Sequence, residues 1–552
     1  MAACLFFDKK AKNINIIFTY KGYNESVERP HHVRKEIWPV KVLRRIFSRV
    51  FLFSLGIFIQ LLWLFFVVFK ISEYYLPIAF ALNFISLIAV LYIVYRPGNP
   101  LIKMAWIVPI LVFPLFGGII FMISGGKTPK KKLAKALAKS QGVISSALPA
   151  PRDPDETGCV LCEKEKYIRG QCHYLSAYGF PEYENTAAEY FDNGRDGWLR
   201  MLEDLKAAKR FIFLEYFIIK PGIMWDAILA VLKEKAAAGV EIRMIYDDVG
   251  SIGSLPRKYA AQMEALGIRC EAFNPYRPVY SVVMNHRDHR KILVIDGHVA
   301  YTGGINFADE YIGENHHLGE WKDNALRMEG EGVRSMTLMF LHMWNAIRPT
   351  DTSEAVGTYM PRAEDVAHIS CDGVIQPYGD SPVDSEPVAE NVYLNIINQA
   401  VDYVYIFSPY VIIDTETNHA LCLAAKRGVD VRLVVPAVPD KKIIYHLTRS
   451  YFPELIDNGV KIYTFTPGFV HAKCFVADDR LAVVGTINTD YRSLYLHFEN
   501  ACLFVDHPVV AEVKTDFEKT FPMCEPVVLK QRRFGLLYSA YLSILRLFAP
   551  LL

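Results

Sequence analysis

The sequence reads His289-Arg-Lys-Ile-Leu-Val-Ile-Asp296 and, 182 residues later, His471-Ala-Lys-Cys-Phe-Val-Ala-Asp478. Both stretches fit the pattern HxKxxxxD, and each is followed after six residues by GxxN, at 303–306 and 485–488. With 15 histidines in the chain, and Lys and Asp each near one residue in twenty, about 0.04 chance copies of HxKxxxxD are expected. The double occurrence therefore indicates that one domain is present twice.

The segments around the two motifs repeat the same order of predicted elements. Each half has a buried-strand pattern, then a helical pattern, then a second strand with alternating apolar residues. These segments are 211–219, 224–238 and 240–246 in the first half, and 404–413, 418–426 and 429–435 in the second. The repeat is too long for a solenoid and predicts two copies of a whole α/β domain.

Within each motif the histidine and the lysine are two residues apart, so on a strand their side chains share one face. The glycine of GxxN begins a turn after a second strand. From these turns, Asn306 and Asn488 can direct their side-chain amides to a common point. Two imidazoles, two ammonium groups and two amides suit a phosphodiester, whose oxygens gain negative charge when phosphorus is attacked.

The chemistry explains why two copies are needed. One imidazole can attack phosphorus and form a phosphohistidine, while the other protonates the leaving alkoxide and then deprotonates the incoming alcohol. A single copy supplies only one imidazole. We therefore expect the two domains to meet face to face, with Lys291 and Lys473 beside the phosphate.

The paired motif resembles the signature of the phospholipase D superfamily, and the fuller pattern is similar to the bacterial cardiolipin synthases. The further stretches that carry this resemblance are Asn99-Pro100, Trp321-Lys-Asp323, Ser408-Pro-Tyr410, Asn488-Thr-Asp-Tyr-Arg-Ser493 and Leu547-Phe-Ala-Pro-Leu-Leu552. The resemblance implies two phospholipase-D-like α/β sandwich domains related by a pseudo-twofold axis, behind an N-terminal membrane-spanning helical anchor. It also implies that two phosphatidylglycerol molecules are joined into cardiolipin with release of glycerol, without a cofactor or a catalytic metal.

The same resemblance suggests roles for the histidines and two acids. It implies that His289 is the nucleophile and His471 the general acid and base, although the near symmetry of the motifs leaves the reverse order open. Glu499, 28 residues after His471, is where similar enzymes have a carboxylate that orients the histidine. We expect Asp323 to orient His289 in the same way.

Three further positions of the motifs carry expectations of their own. We expect Asp296 and Asp478, the last residues of the two motifs, to hold the local loop and charge network rather than to contact substrate. Gly304 stands where many superfamily members have Ser or Thr, whereas the second copy has Thr486. The missing hydroxyl removes one possible phosphate donor from the first half, and such a glycine is common in cardiolipin synthases.

An excess of apolar residues near the N-terminus predicts a membrane anchor. Val50–Phe69 and Leu76–Tyr95 are each twenty residues long and almost wholly apolar, which matches a hydrocarbon core of about 30 Å. A third stretch, 105–123, contains prolines and glycines and could span, re-enter or lie in the interface. Because both flanks are basic, we expect two full spans and a cytoplasmic catalytic part, whereas a true third span would move that part outside.

The sequence divides into seven predicted segments. They are a basic leader (1–48), a transmembrane or re-entrant anchor (49–123), a basic segment and linker (124–170), a first phospholipase-D-like domain (171–350), a connector (351–385), a second such domain (386–530) and a C-terminal tail (531–552). For the tail, an interfacial helix and burial in the second domain are both open. Cys159, Cys162 and Cys172 could hold a structural zinc, but plain reduced thiols suit their spacing better.

Composition and charge narrow the functional classes. The formal net charge is only +2, with 61 basic and 59 acidic residues, which argues against a protein that coats nucleic acid. Phosphatidylglycerol, cardiolipin and an anionic membrane are the expected partners, and the bacterial cell membrane the expected location. Two alternatives remain: a membrane phospholipase D that passes the phosphatidyl group to water, and a membrane scaffold without catalysis.

Overall fold

The computed structural model describes residues 58, 75–96, 99–113, 117–118, 121, 130–147, 166–275, 286–351, 355–384, 386–528 and 536–551.

The helices are α1 (Tyr75–Tyr95), α2 (Pro100–Val112), α3 (Lys130–Ile144), α4 (Lys166–Ala177), α5 (Gly194–Ala207), α6 (Ile223–Ala237), α7 (Tyr259–Glu264), α8 (Val333–Ile347), α9 (Ala363–Val366), α10 (Val388–Gln399), α11 (Thr415–Lys426), α12 (Lys442–Asp457), α13 (Tyr491–Leu496), α14 (Val509–Thr520) and α15 (Leu536–Phe548). The strands of the first half are β1 (Thr186–Phe191), β2 (Phe211–Tyr216), β3 (Glu241–Asp247), β4 (Arg269–Phe273), β5 (Arg287–Asp288), β6 (Lys291–Ile295), β7 (Val299–Gly303), β8 (Glu320–Lys322) and β9 (Ala325–Gly330). Those of the second half are β10 (Val374–Asp380), β11 (Tyr403–Phe407), β12 (Val411–Ile412), β13 (Asp430–Pro436), β14 (Lys461–Phe465), β15 (Gly468–Val470), β16 (Cys474–Ala477), β17 (Leu481–Gly485), β18 (Thr489–Asp490), β19 (His497–Val505) and β20 (Cys524–Pro526).

Two mixed sheets with the same strand order confirm the predicted duplication. The first sheet runs β1-β9-β7-β6-β2-β3-β4, and the second runs β10-β19-β17-β16-β11-β13-β14 with β20 added at its edge. In both sheets the strand inside the motif, β6 or β16, is central and antiparallel to its two neighbours. Each motif therefore spans a fully buried strand, with its histidine before the strand and its aspartate directly after it.

Alternation along these central strands distributes side chains between two cores. Leu293 faces a core that includes residues of α5 and α6, whereas Val294 faces a core that contains residues of both halves. In the second half Phe475 and Val476 divide in the same way. Because successive side chains point to opposite faces, each sheet has an apolar layer on both sides.

Part of the stretch predicted as basic segment and linker is helical and packed. In α3, Leu137 and Ile144 are buried in the core shared by the two halves, and Ser140 Oγ donates to His342 O at 2.9 Å. In α4, Cys172 is buried against the second half. Cys159 and Cys162 lie outside the described residues. The predicted connector likewise contains β10, the edge strand that pairs with β19.

The predicted membrane anchor lies mostly outside the described residues, as does the leader 1–48. Apart from residue 58, the first apolar run, Val50–Phe69, is not described. The second run forms α1, and the third contributes to α2, which has Pro109 inside it. Within the part of the chain that the structure describes, no helix has both the length and the apolarity needed to cross a membrane.

The C-terminal helix α15 has one packed face and one exposed face. Tyr538 OH lies 3.0 Å from His446 Nδ1, and Arg546 Nε donates to Ser450 Oγ at 3.0 Å, so α15 is held against α12. Leu536 and Leu537 on the same helix are exposed. One side of α15 thus packs on the second domain, and the interfacial location of the tail stays a prediction.

Candidate active site

Two short ladders between the halves bring the motifs together. β5 pairs in parallel with the start of β19, and β8 pairs in parallel with β15, so each ladder joins one half to the other. The backbone N–H of His289 donates to Phe498 O at 2.9 Å, and that of His471 donates to Lys322 O at 2.7 Å. Each motif histidine is therefore positioned by the backbone of the opposite half.

Each histidine is also paired with a buried carboxylate of the opposite half. His289 Nδ1 lies 2.9 Å from Glu499 Oε2, and His471 Nδ1 lies 2.8 Å from Asp323 Oδ2. Our expected pairing, Glu499 with His471 and Asp323 with His289, was wrong. The reason is that each acid directly follows an inter-half ladder, so its side chain faces the other motif.

The carboxylates define the tautomers of the two imidazoles. A carboxylate accepts, so Nδ1 carries the proton and Nε2 keeps its lone pair for chemistry. Burial alone would raise the pKa of Asp323, but its contact with His471, the charge of Lys473 and the backbone N–H of Asn324 together hold that pKa below its usual value. Glu499 is fully buried.

Burial and the neighbouring lysines keep both imidazoles neutral. Desolvation, followed by the charges of Lys291 and Lys473, holds the pKa of His289 well below its usual value. Desolvation and Lys473 also lower the pKa of His471, to about 4, although Asp323 opposes that shift. Both rings have a carboxylate at Nδ1, which favours the imidazolium form when a proton is taken up at Nε2.

The motif lysines are buried beneath the histidines. Lys291 Nζ donates to the carbonyl oxygen of His289 at 2.6 Å, and Lys473 Nζ donates to that of His471. Desolvation lowers the pKa of Lys291 to about 8 and that of Lys473 to about 7. These ammonium groups are therefore poorly compensated, which suits the binding of an anionic phosphate.

The two asparagines differ in how their amides are engaged. Asn306 accepts from Ile218 N at 3.1 Å and donates through Nδ2 to Tyr311 OH at 2.9 Å. Asn488 Oδ1 is buried without a hydrogen-bond partner among the described residues. The amide of Asn306 thus also positions Tyr311, whose ring centroid lies 5.3 Å from that of His471.

The last aspartates of the motifs organise backbone at the far end of their strands. Asp296 accepts the backbone N–H groups of residues 209–211, at 2.7 to 3.0 Å, and Asp478 accepts those of residues 401–403, at 2.7 to 2.9 Å. Both have φ of 52°. This geometry agrees with the expected loop-holding role and separates both residues from the histidines by the length of a strand.

The glycine of the first half leaves room for the shorter acid. A Cβ at Gly304 would lie 1.9 Å from Asp323 Oδ1. At the matching position of the second half, Thr486 Oγ1 donates to Glu499 Oε2, and Ser493 Oγ donates to Glu499 Oε1 at 2.6 Å. The hydroxyl of Thr486 thus donates to the carboxylate of Glu499, which orients His289. Glycine at position 304 therefore provides space for Asp323, and the expectation of a lost phosphate donor was wrong.

Sequence reasoning missed a third histidine in the site. The ring centroid of His497 is 5.5 Å from that of His289, and its Nδ1 is 3.6 Å from Glu499 Oε1. Because His497 precedes Glu499 by two residues on β19, both side chains share a face, and that spacing could have identified it. His289, His497 and Glu499 form one of two groups of described residues that could hold a metal ion; the other is Glu390, Asp414 and Glu416.

Comparison with known proteins gives consistent matches. A family model described as "Cardiolipin synthase, PLD-like domain" matches residues 201–344 and 393–521, and each segment contains one HxKxxxxD motif. An uncharacterized protein of Streptococcus mutans is 43% identical over 470 residues, 84% of this chain and 99% of that protein. The cardiolipin synthase of Halalkalibacterium halodurans is 32% identical over 459 residues, 82% of this chain and 90% of its own length. That of Oceanobacillus iheyensis is 31% identical over 489 residues, 87% of this chain and all of its own.

A solved structure supports the fold alone. The crystal structure of phosphatidylserine synthase from Haemophilus influenzae aligns with a TM-score of 0.53 at 13% identity. The alignment covers 70% of this chain and 100% of that one. The whole length of that protein therefore corresponds to the larger part of this chain.

Proposed function

The chain belongs to the cardiolipin synthase family of phospholipase-D-like proteins, and on that premise we propose that it transfers a phosphatidyl group between two phosphatidylglycerol molecules. The products are cardiolipin and glycerol. The observation that carries this proposal is the crossed pair of buried histidine–carboxylate contacts, 2.9 Å at His289 and 2.8 Å at His471. Such an arrangement offers two imidazoles with Nε2 available at one phosphate.

In the first half-reaction, Nε2 of His289 attacks phosphorus and forms a P–N bond while the bond from phosphorus to the glycerol oxygen breaks. Protonated His471 gives its proton to that oxygen, and glycerol leaves. The negative phosphate of bound substrate raises the pKa of His471 toward the value that this step requires. The 2.8 Å contact of Asp323 with His471 Nδ1 supports this role, because the carboxylate stabilises the protonated ring.

In the second half-reaction, the free hydroxyl of another phosphatidylglycerol attacks the phosphohistidine. His471 takes the hydroxyl proton, the new P–O bond forms and the P–N bond breaks, which restores His289. Lys291, Lys473 and Asn488 are proposed to stabilise the charge on the phosphoryl oxygens in both steps. Asn306 is proposed to assist, although its amide is shared with Tyr311.

We also propose that the protein is a multi-pass protein of the bacterial cell membrane, with its catalytic part on the cytoplasmic side. The domain boundaries given above are kept, except that β10 of the predicted connector belongs to the second domain. Exposed apolar side chains support this location. Phe84 and Leu91 on α1, and Leu536 and Leu537 on α15, are exposed, as expected for helices that meet lipid. Because substrate and product are both lipids, the proposed reaction takes place at a membrane surface.

The test uses purified full-length protein in phosphatidylglycerol vesicles, with lipids read by mass spectrometry. We expect cardiolipin and free glycerol from the wild type, and none from His289→Ala or His471→Ala. His368→Ala, which changes an exposed histidine, is the matched control and should behave as the wild type. Phosphatidic acid without cardiolipin would identify a hydrolase, and an inactive but folded wild type would favour the scaffold.

A further inference from the structure

His497 is a buried imidazole without an evident structural purpose. It is only 7% exposed, and neither ring nitrogen has a hydrogen-bond partner among the described residues. Its nearest acceptor, Glu499 Oε1, is 3.6 Å from Nδ1, longer than a hydrogen bond. Buried polar groups in folded proteins are normally paired, so an unpaired ring beside the His289–Glu499 contact indicates a ligand.

The corresponding position in the other half of the site is occupied by a tryptophan. Since His289 N donates to Phe498 O and His471 N donates to Lys322 O, the position that matches His497 is Trp321. Trp321 Nε1 donates to Asp323 Oδ2 at 3.3 Å. An indole N–H is a donor only, whereas an imidazole nitrogen can offer a lone pair. The second half therefore has a ligand atom where the first half has a hydrogen-bond donor.

We propose that His289, His497 and Glu499 form a binding site for a borderline divalent transition metal ion such as Zn²⁺, and that this ion blocks phosphatidyl transfer. Two imidazoles and one carboxylate are the ligands that zinc takes in sites with one open position. All three side chains are buried, and their ligand atoms lie within 4.8 Å of one another.

The two histidine–carboxylate distances are near the spacing of ligand atoms around zinc. With bonds of about 2.0–2.1 Å, neighbouring ligand atoms around zinc are about 3.3–3.4 Å apart. The contact from His289 Nδ1 to Glu499 Oε2 is 2.9 Å, and that from His497 Nδ1 to Glu499 Oε1 is 3.6 Å. The two contacts use different oxygens of Glu499, so ligation by one oxygen requires a rotation of the carboxylate away from Thr486 or Ser493. The open position could then take water or a phosphate oxygen.

Nearby charges limit the affinity of this site. Lys291 and Lys473 both lower the pKa of His289 through their charges, so they also oppose a divalent cation. The Glu499 carboxylate and two neutral imidazoles favour it. We therefore expect weaker binding than at a structural zinc site.

Ligation at His289 Nδ1 explains why the ion would inhibit. In the described state that nitrogen carries the proton and points to Glu499, which leaves Nε2 with its lone pair. When Nδ1 binds the metal, the ring proton moves to Nε2, with no net proton lost from the ring. Nε2 then has no lone pair with which to attack phosphorus, and Glu499 no longer orients the nucleophile.

Zinc binding can be measured directly on the full-length protein, by competition for Zn²⁺ with a chromophoric chelator. We expect one site in the wild type that is at least about 100-fold weaker in His497→Asn and in His289→Ala, since even the loss of an outer-shell partner costs 10–100-fold. His471→Ala removes no ligand and should bind as the wild type. His497→Gln serves as a second ligand-free variant in case the first fails to fold.

Unchanged zinc affinity in folded His497→Asn or His497→Gln would overturn the site, as would an equal loss of affinity in His471→Ala. The inhibitory part rests on the proposed function, and it predicts that zinc suppresses cardiolipin formation in the wild type. Binding is read without turnover, so a wild type that makes no cardiolipin but binds zinc would refute the function and leave the site standing.

Discussion

The two halves of the active site hold their histidines at nearly the same distance from a carboxylate but support that carboxylate differently. Glu499 is longer, and hydroxyl groups of Thr486 and Ser493 donate to it. Asp323 is shorter, and it fits only because residue 304 is glycine. The comparison teaches that the histidine–carboxylate geometry is what both halves preserve, while the neighbouring residues adapt to the length of the acid.

The largest effect is expected when the negative charge is removed from each carboxylate that contacts a histidine. We expect Glu499→Gln and Asp323→Asn each to lower kcat/KM for cardiolipin formation by about 10³–10⁴, because an amide that donates to Nδ1 reverses the tautomer of the histidine. Initial rates with phosphatidylglycerol vesicles measure the effect. Glu203→Gln, at an exposed carboxylate, is the control. A variant that keeps a tenth of the activity would show that its histidine works without the acid.

The next test fills the space beside Asp323 that the glycine at position 304 leaves open. Gly304→Ser should lower kcat/KM by about 100-fold or more, because its Cβ would displace the Asp323 carboxylate from His471. Gly357→Ala is the matched control, since an added Cβ there meets nothing within 4 Å. Activity of Gly304→Ser equal to that of the control would mean that Asp323 has room to move.

Acid should reduce the contribution of His471 to the stability of the protein. Burial lowers the pKa of His471 to about 4, so the unfolded state binds more protons between about pH 6.5 and 4. Stability is then complete above pH 6.5 and falls as the pH decreases through this window, by about 3 kcal/mol for this residue. Melting temperatures at pH 7 and pH 5 measure it. His471→Asn should narrow the difference, and an unchanged difference would contradict the assignment.

The smallest expected effects come from single donors to each acid. Thr486→Val removes one donor to Glu499, and Trp321→Phe removes the 3.3 Å donor to Asp323. We expect a loss of about 10-fold in kcat/KM for Thr486→Val, equivalent to about 1.4 kcal/mol, and a smaller one for Trp321→Phe because its hydrogen bond is longer. Steady-state kinetics of the two variants side by side would reveal a reversed order, which would contradict this ranking.

Local patterns were sufficient to predict the duplicated α/β domain and the residues of the two motifs. The spacing of histidine and lysine on a strand is a property of the backbone, and the roles of Asp296 and Asp478 as loop holders follow from their place at the strand end. The packed helix α3 was not predicted, because its lysines indicated a basic membrane flank and the residues after it a linker, although Leu137 and Ile144 are buried. Its partner α8 is distant in the sequence.

By itself the sequence determined that one phosphate-handling domain occurs twice, since two matching motifs cannot arise by chance. Only the tertiary structure decided that the acids cross between halves, because the ladders of β5 with β19 and β8 with β15 join segments far apart in the chain. The same ladders bring His497 beside His289 and leave Trp321 beside His471. Pairing across an interface depends on the strand register between domains, and no spacing within either copy encodes it.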